Sequence, residues 1–311
     1  MTPEQKARRL AEMVTQAWRS TYHDTSRLDI PLGVIATMAL VRLSDPRALR
    51  AVTAWTSPEL DDADLIDTMK SHWSLVWHRQ PYLMEIARPL HDWLREDILD
   101  RDTVAAIRRV VNVALRYGIS EFTGHPDPAS RAEADVLGAV LTELRAPADR
   151  RRHGEFHTPG PVSDMIAKIM LGELPPPGGK ILEPAAGSGG MVRAAAQQIR
   201  ALGGDPASYC WMLTDIDRFA TGCCAVNTIL WGLGPRVYIH CGDALTQADG
   251  GFAAAAQMRR DVIAHRDRTL TAAVDEHLRH SWFLRAINTV DQLVDASGTR
   301  PRPPTGGIEA A

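Results

Sequence analysis

Apolar positions recur every three or four places along the first 145 residues. Leu10, Met13, Val14, Ala17 and Trp18 share one face of the segment Glu4 to Thr21, the spacing of an amphipathic helix. Pro31 to Leu43 is apolar nearly all round, which predicts a central, enclosed helix. Asp61–Trp77, Pro81–Leu94, Asp102–Tyr117 and Ala129–Leu144 predict further helices, introduced by polar or proline residues. No strand-like alternation interrupts them, so residues 1–145 read as an all-helical N-terminal domain. The pattern changes after 146–153, a hinge holding Pro147 and the run Arg150-Arg151-Arg152-His153. Short apolar runs at Lys180–Leu182, Tyr209–Thr214 and Arg236–Ile239 predict strands, and helices are expected at Pro161–Leu171, Met191–Leu202 and Asp217–Leu230. Strand and helix alternating in this way define an α/β domain over 154–250. Gly251 to Ser281 reads as a long helix with Leu270, Val274 and Leu278 in four-residue steps, within C-terminal helices at 251–296. Residues 297–311, rich in Gly and Pro, read as a disordered tail.

Composition narrows the function classes. With 311 residues and 45% hydrophobic content the chain has material for a real core. A net charge of −3 gives no global attraction to nucleic acid, so any DNA contact has to come from a local patch or a partner. Arg150–Arg152 is the candidate patch, although such a run is usually just solvated surface. Ile30 to Leu43 is the nearest approach to a membrane span, but it is short and broken by Pro31, Gly33 and Arg42. The start, Met1 to Lys6, lacks the apolar core of a secretion signal, so a cytoplasmic location is expected. The four cysteines, Cys210, Cys223, Cys224 and Cys241, form no Cys-x-x-Cys pair, and buried reduced thiols are expected rather than a metal site. Trp18, Trp55, Trp73, Trp77 and Trp93 are open to a base-stacking reading, but their helical spacing favours core.

The most informative stretch is Ile181-Leu182-Glu183-Pro184-Ala185-Ala186-Gly187-Ser188-Gly189-Gly190. A strand end, a turn of small residues and a helix start make a cradle for a nucleotide-like ligand, because glycines let ligand atoms approach the backbone. Asp215 ends the second strand, where an acid can accept both ribose hydroxyls. It is also placed to cap the next helix, a task that Asp217 can perform as well.

With Gly154-Glu155-Phe156-His157-Thr158-Pro159 before this stretch, and Asp215, Asn227 and Gly242-Asp243-Ala244-Leu245 after it, the sequence resembles the N6-adenine DNA methyltransferases. It is most similar to the methylation subunits of type I restriction–modification systems. The resemblance covers about 154–245 and implies a Rossmann-like S-adenosylmethionine-dependent methyltransferase fold. It implies S-adenosylmethionine as cofactor, with Phe156, Thr158 and Pro159 closing over its methionine end. Glu183, Pro184, Ala185, Gly187, Ser188 and Gly189 are then expected along the cradle. Asp215 is expected on the ribose and Asp243 on the adenine amino group, with Ile216, Asn227 and Ala244 beside them. DNA and a specificity or catalytic partner subunit are the implied partners. The family begins with a helical domain, which by analogy is a docking module; a small regulatory domain is the other reading.

One family element is missing. An Asn/Asp/Ser-Pro-Pro-Tyr/Phe segment should end a fourth strand, where it accepts hydrogen bonds from the target amine and stacks the flipped base. Pro175-Pro176-Pro177 precedes the glycine turn, and Pro303-Pro304 sits in the tail without the flanking residues. The nearest vestige, Asp261-Val262-Ile263-Ala264-His265, falls within the expected long helix and is followed by Arg266-Asp267 where the family has two prolines. Catalytic residues are therefore unassigned. A cysteine nucleophile of the cytosine-C5 methyltransferase kind is also excluded, since no cysteine follows a proline. Three functions remain: a diverged N6-adenine methyltransferase of a modification or defence system, incomplete alone; a non-catalytic cofactor-binding or scaffold module; and a methyltransferase for another acceptor.

Overall fold

Capping residues set the first helices close to where periodicity places them. The computed structural model describes residues 1–22, 27–41, 45–96, 99–145, 158–246 and 251–296, the last stretch as backbone only beyond 277. Helix α1, Pro3–Arg19, starts with a capping box: the Thr2 hydroxyl accepts the Gln5 N–H, and the Gln5 side chain accepts the Thr2 N–H. Helix α2, Asp29–Leu40, is buried from Ile30 to Ala39, the central helix that its all-round apolar sequence predicts. Helix α3, Pro46–Ala54, capped by Asp45, was not legible in the periodicity. Helix α4, Asp62–Arg79, opens on Asp61, whose carboxylate accepts the Asp64 N–H at 2.7 Å.

Two expected helices are broken, each for a local reason. The run Pro81–Leu94 is only a short α5, Pro81–Ile86, followed by 3-10 turns at Arg88–Leu90 and Asp92–Arg95; Pro89 removes a helical donor and crowds the preceding turn. Helices α6, Arg101–Arg116, and α7, Ile119–Thr123, follow. The run Ala129–Leu144 divides into α8, Pro128–Arg131, and α9, Val136–Leu144. The second starts afresh because the Asp135 carboxylate accepts the Gly138 N–H at 2.8 Å. Trp18, Trp55, Trp73 and Trp93 are core residues and Trp77 is half-buried. Two of the buried indoles have partners: Trp73 Nε1 donates to Thr37 Oγ1 at 2.8 Å, and Trp93 Nε1 to the Leu90 carbonyl at 2.9 Å, whereas Trp55 Nε1 has none among the described residues.

Helix α10, Gly160–Met170, leads to three strands: β1, Lys180–Glu183; β2, Cys210–Asp215; and β3, Val237–Cys241. They lie parallel in the order β1-β2-β3, with Leu182 opposite Met212 and Leu213 opposite Ile239. Helix α11, Gly190–Ala201, connects the first two strands and α12, Arg218–Leu230, the second two. Helix α13, Phe252–Ala296, takes up the region where a long helix was expected. The architecture is thus mixed and helix-rich, with one small parallel sheet. Among the described residues no helix is long and apolar enough to cross a membrane.

Residues Met1–Val262 form one compact unit and Ile263–Ala311 a second. Within the first, the N-terminal helices and the sheet share a single core. Helix α12 is buried from Ala220 to Thr228 because it lies among the sheet, α2, α5 and α9. The Tyr82 hydroxyl of α5 donates to the Ile239 carbonyl and accepts the Ile239 N–H, both at 2.8 Å, which satisfies the outer edge of β3. The buried Arg131 donates to the Leu230 carbonyl at 2.7 Å, at the negative end of the α12 dipole. The expected boundary at 145 is therefore a change of secondary structure inside one core. The hinge 146–153 and the tail 297–311 lie outside the described residues. Cys210, Cys223 and Cys224 are buried as expected, but Cys241 is exposed, because it ends β3 where the strand leaves the core.

Candidate functional site

The three strands end together, and the residues that follow them meet. After Glu183 the chain turns through Pro184 and Ala185, both exposed, and the Glu183 carboxylate accepts the Ala185 N–H at 3.1 Å. Ala186 N–H donates to the Thr214 carbonyl at 2.9 Å, so the turn is bound to the end of β2. Gly187 and Gly189 have φ of +55° and +104°, the left-handed region that favours glycine. A Cβ on Gly189 would sit 2.9 Å from the Trp231 ring, whereas one on Gly187 would meet nothing within 4 Å. Gly189 lets the turn pack inward; Gly187 faces open space.

Asp215 holds this arrangement at the end of β2. Its Oδ2 accepts the Gly187 N–H at 2.7 Å, and its Oδ1 accepts the Asp217 N–H at 2.9 Å. Its carbonyl accepts the Gly242 N–H at 2.9 Å, which joins the end of β3 to the same point. A carboxylate has about four lone-pair positions, so both oxygens keep acceptor capacity for hydroxyls. Asp217 caps α12 through the Phe219 N–H at 2.8 Å and pairs with Arg145, which leaves Asp215 out of the capping role. Ile216 is 73% exposed beside it. Asp243 is exposed and accepts the Leu245 N–H at 2.9 Å, with Ala244 between them.

Asn227 and Ser188 have a different position. Asn227 is buried, and its Nδ2 donates to the Ser188 carbonyl and to Asp135 Oδ1, each at 2.8 Å. The Ser188 hydroxyl is also buried and donates to Asp135 Oδ2 at 2.5 Å. Both side chains point into the protein behind the turn. Asp135 was not among the sequence candidates, because the helix expected over Ala129–Leu144 ran straight through it.

A cavity of about 380 Å³ opens beside the turn, with Thr158, Pro159, Gly160, Ser163 and Gly190 in its lining. The helices beginning at Gly160 and Gly190 have no side-chain cap, so both bring a positive dipole end to it, although at the first Pro161 has no N–H and the Val162 N–H donates to the Pro159 carbonyl at 2.9 Å. Ser163 is buried at 1% exposure, and its hydroxyl has no hydrogen-bond partner among the described residues. Nothing in the sequence pattern marked Ser163. Phe156 and His157 lie outside the described residues. A second cavity of about 490 Å³ touches Arg218, His240 and Cys241. Gly187, Asp215, Ile216 and Asp243 line neither cavity and stand on the surface at the strand ends.

Burial pushes the thiols of Cys223 and Cys224 up, so neither is a thiolate. Among the described residues no group of His, Cys, Asp and Glu is placed to hold a metal. The vestige Asp261–His265 is helical, and Asp261 accepts Gln257 Nε2 at 2.9 Å one turn back.

Residues 133–265 match the family described as N-6 DNA Methylase, the family whose motifs the sequence resembles. The match starts in the helical segment, before Asp135, and ends within the long helix. No curated protein matches the chain significantly. Among solved structures, it is similar to the type I restriction–modification system methyltransferase subunit from Streptococcus thermophilus, at 16% identity and a TM-score of 0.45. That alignment covers 78% of this chain, which spans 59% of the other.

Proposed function

From the N-6 DNA methylase match of residues 133–265 we propose that the protein binds S-adenosylmethionine at the strand ends and serves N6-adenine DNA methylation in a modification or defence system. The observation that carries the reading is the Asp215 carboxylate, fixed by the Gly187 N–H at 2.7 Å beside a turn that faces open space. The ribose hydroxyls would be accepted by Asp215 and the adenine would lie near Ile216 and Asp243. The cofactor's amino-acid end suits the cavity at Gly160 and Gly190, where the uncapped helix start at Gly190 and the unpartnered Ser163 hydroxyl would serve its carboxylate, and Glu4 and Glu143 in the same lining its ammonium. When bound, this cofactor supplies an electrophilic methyl group. The chain's own residues hold it, orient it and keep one wall of its site dry. The Rossmann-like methyltransferase fold is part of the same reading, the three parallel strands being its cofactor-binding half.

DNA is the proposed macromolecular partner, reached through Arg150–Arg152 or through another subunit, and a catalytic or specificity subunit fits the same arrangement. A second reading, a non-catalytic cofactor-binding module, is favoured by one observation. Among the described residues no strand follows β3, and the region after it is helix. Methyl transfer needs the amine held in line with the sulfonium, and losing one such electrostatic contact costs about two to three orders of magnitude.

Calorimetry with the full chain tests the cofactor. Wild type binds, and Asp215→Ala weakens affinity about ten- to a hundredfold, from one lost partner of about 1–3 kcal/mol. Absence of wild-type binding at millimolar cofactor overturns the reading. With labelled S-adenosylmethionine and mixed-sequence DNA, the isolated chain leaves almost no label in N6-methyladenine. Robust incorporation, abolished by Gly187→Trp, would show that the chain carries its own acceptor site.

A further inference from the structure

We infer that Asp135 is a positioning residue for the glycine turn, so that the helical segment sets the geometry of the cofactor cradle. The inference rests on the cofactor reading for its consequence, but not for its geometry. Asp135 belongs to the start of α9, yet its carboxylate collects three donors: Gly138 N–H and Asn227 Nδ2 on Oδ1, each at 2.8 Å, and Ser188 Oγ on Oδ2 at 2.5 Å. Asn227 also donates to the Ser188 carbonyl at 2.8 Å. Ser188 lies between the two glycines with positive φ, so it is held at its hydroxyl and at its carbonyl in the middle of the turn. Such a turn has many conformations open to it unless something fixes it, because glycine gains so much freedom when released.

The approach of α9 to the turn is close. A Cβ on Gly138 would stand 2.3 Å from both Asp135 Oδ2 and Ser188 Oγ, so a side chain there is incompatible with the network. Asp135 therefore has two roles that can be separated. As an N-cap it can be replaced by Ser with little loss. As the acceptor for both Ser188 and Asn227 it cannot, because a serine offers one oxygen on a shorter side chain and has no second oxygen for the Ser188 hydroxyl. The cap is structural; the double acceptance positions the turn.

Amide hydrogen exchange on the full chain separates the roles without any ligand. Gly187 N–H is held by Asp215, and Gly189 N–H donates to the Ala186 carbonyl at 2.8 Å. Asp135→Ser is expected to speed exchange at Gly187 and Gly189 at least tenfold, while Gly138, at the retained cap, exchanges as in wild type. Asp135→Ala speeds all three. Wild-type rates at Gly187 and Gly189 in Asp135→Ser overturn the inference. Calorimetry then reads the consequence: S-adenosylmethionine affinity falls about tenfold in Asp135→Ser. Unchanged affinity in that variant also counts against it. A wild type that does not bind the cofactor sinks the functional reading alone, since the exchange comparison stands without it.

Discussion

Removing one oxygen atom from Tyr82 tests how the helical segment is joined to the sheet. Tyr82 is 3% exposed and Ile239 1% exposed, and the hydroxyl answers both backbone groups of Ile239 at 2.8 Å. Tyr82→Phe keeps the ring and its packing but leaves a buried N–H and a buried carbonyl without partners. Each orphaned group costs about 1–3 kcal/mol, and modest relaxation brings the expected total to about 3 kcal/mol. With an m-value of about 3 kcal/mol/M, the urea midpoint falls by about 1 M at unchanged m. The control is Tyr117→Phe, since Tyr117 is only half-buried and contacts Arg9 through its ring. Equal midpoints for the two variants would refute the reasoning. The same contact has a signature in alkali. Burial pushes the Tyr82 hydroxyl up to about 12 from its ordinary value of 10.0. Its folded pKa is above the unfolded one, so this stability is complete below pH 10 and drains away as the pH rises towards 12. At about 1.4 kcal/mol per pKa unit the loss approaches about 3 kcal/mol, and Tyr82→Phe lacks that step.

Three further outcomes follow from named contacts. Gly189→Ala forces a left-handed φ and a 2.9 Å approach to Trp231, so thermal melts show a loss of about 2 kcal/mol or more. Gly187→Ala carries only the backbone strain, about 1 kcal/mol, and shows its effect in calorimetry with the cofactor. Burial holds His72 and His91 below the ordinary imidazole range, so their contribution is present above about pH 6.5 and lost as the pH falls below it; a flat urea midpoint from pH 7 to 5 would contradict this. Limited proteolysis near Arg150–Arg152 should yield two pieces that still elute together, held by the Tyr82–Ile239 and Arg131–Leu230 contacts; separate elution under native conditions would show that the shared core is weak.

The order of elements was legible because its causes are local. Helical spacing in α1, the all-apolar run of α2, capping by Asp61 and the three short apolar strands each depend on a few adjacent residues. So does the glycine turn, whose positive φ values require Gly187 and Gly189 whatever surrounds them. That Asp217 rather than Asp215 caps α12 was also open to local reasoning, since a cap reaches only two or three residues. The breaks at Pro89 and Asp135 are local too, but there the apolar periodicity continues across residues that interrupt the helix. What the tertiary structure alone decided are the joins. Asn227 meets Asp135 across 92 residues, Arg131 meets Leu230 across 99, and Tyr82 meets Ile239 across 157. Asn227 is buried because α9 and the turn enclose it. Periodicity specifies which face of a helix is apolar but not which element covers it, and a buried polar group takes its meaning from whichever donor or acceptor packing brings to it.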